Sequence, residues 1–346
     1  MHTVGFVLVG IGNIGRTFLR IVSEKQESLR TRYDVALRLV AAVDSSGTAL
    51  RASGLDIDEV LQLKQDGRGV AAYPRHGVPG LVALDGLRQS DGDLLIELSP
   101  TNLEHGEPGL SAITWALSHG MDVVTANKGP LVLAYQRLTQ LAARHGASLR
   151  FSGAVAGGLP TVNIGQRDLV GAKVLRVEGV FNTTTNYILM RMQEDRLSFE
   201  EALAEVQQAG VAEADPSLDI DGWDPANKLV ILANSVLGMP ATLQDVSVKG
   251  IRGISSAELM RARESGHAIK LLVTAELETD NTYKLAVRPT DLPLEHPLAR
   301  LSKWQMGVVY TTDVMGVITA IIKDEGPSAT AAAVLRDVIN TAMARS

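Results

Sequence analysis

The sequence predicts an α/β protein: a Rossmann-type doubly wound parallel sheet comes first, and an α+β domain with a mainly antiparallel sheet follows. Three observations lead to this prediction. The chain opens with an apolar run, a glycine-rich turn and a helical segment. Short apolar runs and helical segments then alternate up to about residue 150. Beyond that point strand-like runs recur with few helices between them, which favours antiparallel pairing.

Composition narrows the class of protein. The 346 residues, 45% of them hydrophobic, are enough for two cores. A net charge of −6 with mixed signs excludes a nucleic-acid footprint, and the absence of cysteine excludes disulfides and thiolate metal sites. The seven histidines show no ligand pairing. Without a basic leader or an apolar stretch of roughly 18 residues, we expect a soluble cytoplasmic protein with no membrane partner.

The first strand, turn and helix have the pattern of a dinucleotide site. Val4–Val9 is a continuous apolar run, as expected of a buried strand. Gly10, Gly12 and Gly15 follow in the dinucleotide spacing, and the helical segment Arg16–Leu29 comes next. These glycines would let the backbone approach a pyrophosphate at the helix N-terminus.

The second strand ends in an acid. Leu37–Val43 precedes Asp44, whose carboxylate could accept hydrogen bonds from the ribose and repel a 2′-phosphate. This favours NAD over NADP, although Arg51 is near enough in sequence to leave NADP open. An insertion, residues 25–34, lengthens the crossover to this strand.

Two further strands fit the parallel sheet, Asp93–Leu98 and Asp122–Thr125. Ligands of such sheets lie beyond the carboxyl ends of the strands. The polar residues there are Ser99, Thr101, Asn127 and Lys128. Lys128 could meet a substrate carboxylate or a developing alkoxide; the alternative is an ordinary surface lysine.

The second half predicts a different architecture. We expect strands at Val174–Phe181, Ala268–Leu277, Tyr283–Pro289, Gly307–Thr311 and Met315–Ile322, and a helix at Phe199–Gln208. An alanine-rich helix closes the chain. The predicted boundaries are residues 1–152 for the nucleotide-binding domain, 153–322 for the second domain, and 323–346 for a helix that returns to the first.

An acidic segment before a lysine is the strongest candidate for chemistry. Asp224 and Pro225 are predicted to be the N-cap and the first residue of a helix, and Lys228 lies four residues after Asp224. A lysine facing several acids suits proton transfer or substrate binding. The alternative is a solvated acidic loop before a capped helix. The acids are Glu213, Asp215, Asp219, Asp221 and Asp224.

Taken together, these segments resemble homoserine dehydrogenase in its short form without a C-terminal regulatory domain. The motifs, in the family's order, are GIGNIG, ELSPTN, VVTANKGPL, GVFNTTTNYIL, AEADPSLDIDGWDPANKL and GPSATAAAVLRD. The resemblance implies NAD(P)-dependent interconversion of L-homoserine and L-aspartate 4-semialdehyde, in threonine and methionine biosynthesis. It also implies that the second domain is the catalytic and dimerisation domain of a homodimer.

The resemblance assigns roles to residues. It makes Asp224, Lys228 and Lys128 catalytic, and leaves open which lysine moves the proton. Glu213 would hold the substrate amino group, with Asp219 and Thr184 lining the same pocket. The cofactor would be lined by Gly10, Gly12, Asn13, Ile14, Gly15, Asp44, Ser99, Thr101 and Lys128.

Three departures from the family pattern predict a divergent pocket. Ser152 replaces a glutamate, which weakens the family's monovalent-cation site, although the backbone of Val155 and Gly157 could still bind Na⁺. Thr183 replaces a glycine and would be strained if φ were positive. Val211 replaces an aromatic residue.

Two other functions remain open on sequence alone. A related reductase of another small amino-semialdehyde or hydroxy acid is compatible with the departures at Thr183 and Val211. A catalytically silent nucleotide sensor is the other, and the retained acids and lysines count against it.

Overall fold

The structure is a computed structural model that describes residues 2–209 and 215–345. The chain divides into two compact units. The first unit runs to Gly158 and includes the residues from Pro327 onward, and the second is Leu159–Gly326. Within the described residues, no helix is both long and apolar enough to cross a bilayer.

The first unit begins with the elements β1 (His2–Val9), α1 (Asn13–Tyr33), β2 (Val35–Asp44), β3 (Gly47–Leu50), α2 (Ile57–Gln65), β4 (Gly77–Pro79), α3 (Ala83–Arg88), β5 (Leu94–Glu97), α4 (Gly109–Ser118), β6 (Asp122–Thr125), α5 (Lys128–His145) and β7 (Leu149–Arg150). Most of the predicted insertion, residues 25–34, forms the last part of α1.

The sheet of the first unit has the order β4-β3-β2-β1-β5-β6-β7. The five strands from β2 to β7 in this order are parallel, and β3 and β4 add an antiparallel edge. The chain runs outward from β1 in one direction and then from β5 in the other. The topological switch therefore lies between β1 and β5, and ligands of such sheets bind at the carboxyl ends of strands at that point.

Strand β1 is buried on both faces, as its apolar run predicts. Phe6 and Leu8 point into the core formed with α1, whereas Val7 and Val9 point into the core formed with α4. The alternation of side chains along a strand makes this division. A polar substitution on either face would therefore disturb one of the two cores.

The second unit contains α6 (Thr161–Asn163), β8 (Val174–Val180), α7 (Thr183–Glu194), α8 (Phe199–Gln208), α9 (Ser217–Ile220), α10 (Trp223–Ser235), β9 (Val246–Val248), α11 (Ser256–Glu264), β10 (His267–Leu277), β11 (Tyr283–Pro293), β12 (Gln305–Thr312) and β13 (Val317–Lys323). Its sheet has the order β13-β12-β8-β10-β11-β9. Every pair is antiparallel except β11–β9. The predicted fold class, a doubly wound parallel sheet plus a mainly antiparallel one, is confirmed.

The last helix, α12 (Pro327–Ala344), belongs to the first unit. Its buried residues, among them Val334 and Val338, join the core of Phe6 and α1. Asp337 Oδ2 accepts hydrogen bonds from the backbone N–H (2.8 Å) and Oγ (2.6 Å) of Ser152. Burial raises the pKa of Asp337, because the charged form loses its hydration. The end of the chain is thus fastened to the segment that follows β7.

Candidate active site

The glycine turn, residues 10–15, is shaped by close backbone packing. Gly10 has φ 93°, and a Cβ there would collide with the carbonyl of Leu98. A Cβ on Gly15 would collide with the carbonyl oxygen of Gly10. At Gly12, the N-cap of α1, a Cβ would meet nothing within 4 Å. Open space beside a helix start that no side chain caps fits an anionic pyrophosphate.

Asn13 and Ile14 are the first residues of α1, so their N–H groups belong to this helix start. Asn13 Oδ1 also accepts a hydrogen bond from Arg16 Nη2 at 2.7 Å. The residues predicted to line the pyrophosphate therefore lie together at the carboxyl end of β1.

Asp44 ends β2 and is heavily hydrogen-bonded. Its Oδ1 accepts from the N–H (2.9 Å) and Oγ (2.5 Å) of Ser46. Its Oδ2 accepts from Lys64 Nζ (2.6 Å) and the N–H of Val70 (3.1 Å). Burial alone would raise the pKa of Asp44, but these hydrogen bonds outweigh it and the pKa is lowered. The cation beside this carboxylate is Lys64, whereas the guanidinium of Arg51 bonds to Ser53.

Beyond β5 and β6 the polar residues meet around a buried carboxyl group that sequence reasoning missed. Glu97 is fully buried, and Ser99 donates to it through both its N–H (2.9 Å) and its Oγ. Thr125 Oγ1 donates at 3.1 Å and Asn127 Nδ2 at 3.5 Å. Burial raises the pKa of Glu97. The hydroxyl of Ser99 therefore points to Glu97.

The remaining residues of this unit that were predicted to bind the cofactor are Thr101, which is exposed, and Lys128, which is half-buried. Lys128 is the first residue of α5, and Asn127 caps that helix through a hydrogen bond from Gly129 N–H. The lysine thus begins a helix rather than lying within a loop.

In the second unit, α10 carries the predicted catalytic pair. Lys228 Nζ lies 2.6 Å from Asp224 Oδ2, and both side chains are largely buried, at 12% and 13% exposed. Lys228 Nζ also donates to the carbonyl oxygen of Phe181 at 2.6 Å. The spacing of four residues places both groups on one helix face, as expected.

The predicted cap of this helix is wrong. The N-cap is Gly222, whose φ of 87° places it in the left-handed region, and α10 begins at Trp223. Asp224 and Pro225 are therefore the second and third helical residues. The carboxylate of Asp224 accepts hydrogen bonds from the side chains of Lys228 and Asn182.

Asp219, in α9, joins the pair through an asparagine. Asn182 Nδ2 donates to Asp219 Oδ1 at 2.7 Å and to Asp224 Oδ2 at 3.0 Å. Burial and the neighbouring charge of Asp224 raise the pKa of Asp219, while hydrogen bonds from Asn182 and Thr184 oppose this. We call Asn182, Asp219, Asp224 and Lys228, with the Phe181 carbonyl, the carboxylate–lysine cluster.

Asn182 was not among the predicted site residues. It caps α7, because its Oδ1 accepts a hydrogen bond from the N–H of Thr185 at 2.9 Å. The sequence held one signal: an asparagine directly before a helical segment is a favoured N-cap. Nothing in the sequence indicated its hydrogen bonds to Asp219 and Asp224, which lie some 40 residues later.

Other predicted residues have separate positions. Asp215 bonds to the N–H of Ser217 and Asp221 to Arg252, as turn and loop residues do. Glu213 and Val211 lie outside the described residues. Thr183 is the first residue of α7, and its φ is not positive. The backbone strain that a positive φ would cause at this residue therefore does not arise.

At the predicted cation site, Ser152 takes the place of the glutamate of the family pattern. Ser152 at that position is bonded to Asp337. Val155 is buried, and Ala156 and Gly157 both have φ 58°. Within residues 2–209 and 215–345, no group of three His, Cys, Asp or Glu residues could hold a metal ion. The backbone carbonyls of Val155 and Gly157 remain the predicted ligands of a monovalent cation here.

Comparison with known proteins gives one family. A family model described as homoserine dehydrogenase matches residues 160–339, and one described as homoserine dehydrogenase, NAD binding domain, matches residues 10–152. The chain is 36% identical to the homoserine dehydrogenase of Methanocaldococcus jannaschii, over 96% of this chain and 97% of that one. It is 33% identical to the NAD(+)-dependent homoserine dehydrogenase of Pseudomonas canavaninivorans, over 96% and 94%. A hyperthermophilic archaeal homoserine dehydrogenase in complex with NADPH has a TM-score of 0.84 at 26% identity, over 98% and 97%.

Proposed function

This chain belongs to the homoserine dehydrogenase family, and we propose that homoserine binds at the carboxylate–lysine cluster, where Lys228 moves the proton of its hydroxyl group. The enzyme interconverts L-homoserine and L-aspartate 4-semialdehyde with NAD or NADP, in threonine and methionine biosynthesis. The similarity favours this reaction over that of a related reductase of another semialdehyde and over a catalytically silent nucleotide sensor. The observation that supports the assignment of residues is the contact of Lys228 Nζ with Asp224 Oδ2.

The proton step follows from the donors of Lys228. An ammonium has three N–H groups. Two are directed to Asp224 Oδ2 and to the Phe181 carbonyl, so the third can be given to a substrate oxygen. In the reductive direction this N–H donates to the aldehyde oxygen as negative charge develops there. In the oxidative direction Lys228 must first lose a proton in order to accept the one from the hydroxyl.

The nicotinamide, when bound, accepts the hydride from the alcohol carbon in oxidation and returns it in reduction. We assign its binding to the glycine turn with Asn13 and Ile14, to Asp44, and to Ser99, Thr101 and Lys128. The open space at Gly12 and the uncapped start of α1 support the pyrophosphate position. Asp44 supports a preference for NAD, because its ionised form would repel a 2′-phosphate.

We assign the amino group of homoserine to Glu213 and Asp219, with Thr184 beside Asp219. The substrate ammonium would offset the cost of burying the Asp219 carboxylate, since an opposite charge favours the ionised form. Glu213 carries its role from the resemblance alone. Lys128 is the second candidate for the residue that transfers the proton, and this assignment also rests on the resemblance alone.

We further propose a homodimer through the sheet of the second unit, and no more than a weak Na⁺ site at the carbonyls of Val155 and Gly157. Strand β13 is an edge strand with exposed apolar residues, Val317 at 64% and Ile321 at 46% exposed. Exposed apolar edges of this kind are normally covered. Light scattering of the purified protein should give twice the chain mass, and a monomer would remove this part of the proposal.

The experiment follows nicotinamide absorbance with purified protein, L-homoserine and either NAD or NADP. We expect turnover, and Lys228→Ala should reduce kcat by about 10²- to 10⁴-fold, the usual contribution of a general acid–base. Lys284→Ala, at an exposed position of β11, is the matched control and should be unchanged. Full activity of Lys228→Ala together with loss in Lys128→Ala would move the proton step to Lys128.

A further inference from the structure

Asn182 occupies a position between two acids that would otherwise repel each other. Asp219 and Asp224 are on different helices, and the charge of Asp224 raises the pKa of Asp219. The two N–H groups of the Asn182 amide are both used, one on each carboxylate. An amide that donates to two carboxylates at once fixes the distance between them.

The same amide also orients the lysine pair. Asn182 Nδ2 and Lys228 Nζ donate to the same atom, Asp224 Oδ2, at 3.0 and 2.6 Å. The carbonyl that accepts the other bond of Lys228 belongs to Phe181, the residue directly before Asn182. The start of α7 therefore holds both members of the pair on α10.

The Oδ1 atom of the amide anchors Asn182 itself. It accepts from the N–H and Oγ of Thr185, so the side chain cannot rotate without uncapping α7. Asn182 is buried, at 6% exposed, which makes an alternative bond to solvent costly.

We propose that Asn182 is a positioning residue of this enzyme: its amide holds Asp219 and Asp224 at a fixed spacing and presents Asp224 Oδ2 to Lys228. This inference rests on the proposed function of the carboxylate–lysine cluster. It adds a residue that contacts the acids and not the reacting atoms. Charged or polar groups that face Asp219 are Asp224 and Lys228 from α10, and Asn182 and Thr184 from the start of α7.

Asn182→Ser separates the two roles of the residue. Serine is as good an N-cap as asparagine, so α7 should remain capped, but it has a single donor and cannot bridge both acids. We expect kcat/KM for homoserine to fall by about 10- to 100-fold, the range for lost hydrogen bonds to charged groups. The acid limb of the pH profile should move to higher pH, because Asp219 loses a bond that favours its ionised form. KM for the cofactor should not change.

Asn182→Asp keeps the size and the cap but replaces the donor by a third carboxylate. At neutral pH, the fall in kcat/KM for homoserine should be larger for Asn182→Asp than for Asn182→Ser. Ser255→Ala removes the N-cap of α11 and is the control for capping: it should lower the Tm while leaving kcat/KM and the acid limb as in the wild type.

The outcomes separate this inference from the proposed function. A wild-type protein without turnover of homoserine would reject the proposed function itself. An active wild type with Asn182→Ser unchanged in kcat/KM and in its acid limb would overturn the positioning role alone. Failure of both Asn182 variants to fold would make the residue structural and would equally overturn it.

Discussion

Asp224 Oδ2 accepts hydrogen bonds from Lys228, one turn later on the same helix, and from Asn182, at the start of another helix. The helical spacing alone would give a surface pair of little energetic value. Burial and the second donor make the difference, because they fix the carboxylate in one orientation. The relationship between Asp224 and Lys228 is therefore set by tertiary structure as much as by sequence spacing.

The bond between Asp44 and Lys64 predicts how cofactor preference should respond to mutation. Asp44→Ala leaves the ammonium of Lys64 without its carboxylate at the end of β2. An unpaired ammonium attracts a 2′-phosphate. The ratio of kcat/KM for NAD to that for NADP should therefore fall by about tenfold or more.

Arg51→Ala is the matched control for this variant. Because the guanidinium of Arg51 bonds to Ser53 and not to Asp44, the ratio should stay within about twofold of the wild type. A ratio that changes in Arg51→Ala and not in Asp44→Ala would reverse the assignment.

The buried side chain of Lys270 should make the stability of the protein depend on pH. Its ammonium is buried in β10 and donates to Asn186 Oδ1 (2.7 Å) and the Leu301 carbonyl (3.0 Å). Burial lowers its pKa to about 8. The unfolded chain therefore binds more protons than the folded one between pH 8 and 10.5, and the stability that depends on this group rises with pH over that window.

The measurement is urea unfolding of the wild type and of Lys270→Met at several pH values. The free energy of unfolding of the wild type, less that of the variant, should increase by about 3 kcal/mol from pH 8 to 10.5. Lys284→Met, at an exposed position, should show no such trend. A difference that is flat or that falls with pH would show that burial does not disfavour the charge of Lys270.

Loss of the Asp337 carboxylate should weaken the attachment of α12 to Ser152 and lower the free energy of unfolding. Asp337→Ala removes the oxygen that accepts both hydrogen bonds from Ser152 and leaves a buried N–H without its partner. We expect a loss of about 3 kcal/mol in the free energy of unfolding. Asp337→Asn keeps an acceptor oxygen and should lose about 1 kcal/mol or less. Equal losses in the two variants would mean that the charge, and not the acceptor, holds Ser152.

Local patterns predicted most of the fold. Helix α8 is found at the predicted residues, since its cap and its apolar spacing are both local. The glycine turn was also predictable from the local sequence, because its close backbone packing requires residues without a Cβ. Strand β9 was not predicted. It has three residues and pairs with one neighbouring strand, and so short a run is not enough to recognise the alternation of side chains along a strand.

The candidate site was less predictable, because distant residues decide it. The cap predicted for Asp224 was reasonable locally, yet Gly222 takes that place and the carboxylate turns to Asn182 and Lys228. Glu97 was overlooked for a related reason. It ends an ordinary apolar strand, and its donors come from two strand ends that only the sheet brings together.

The most direct test of the carboxylate–lysine cluster is a double-mutant cycle on kcat/KM for homoserine with Asp224→Asn, Lys228→Met and both together. If the two residues act as one unit, the double variant should be about as slow as Lys228→Met alone, because the second change has little left to remove. If the two losses instead multiply, Asp224 and Lys228 contribute independently, and the proposed proton-transfer pair is contradicted.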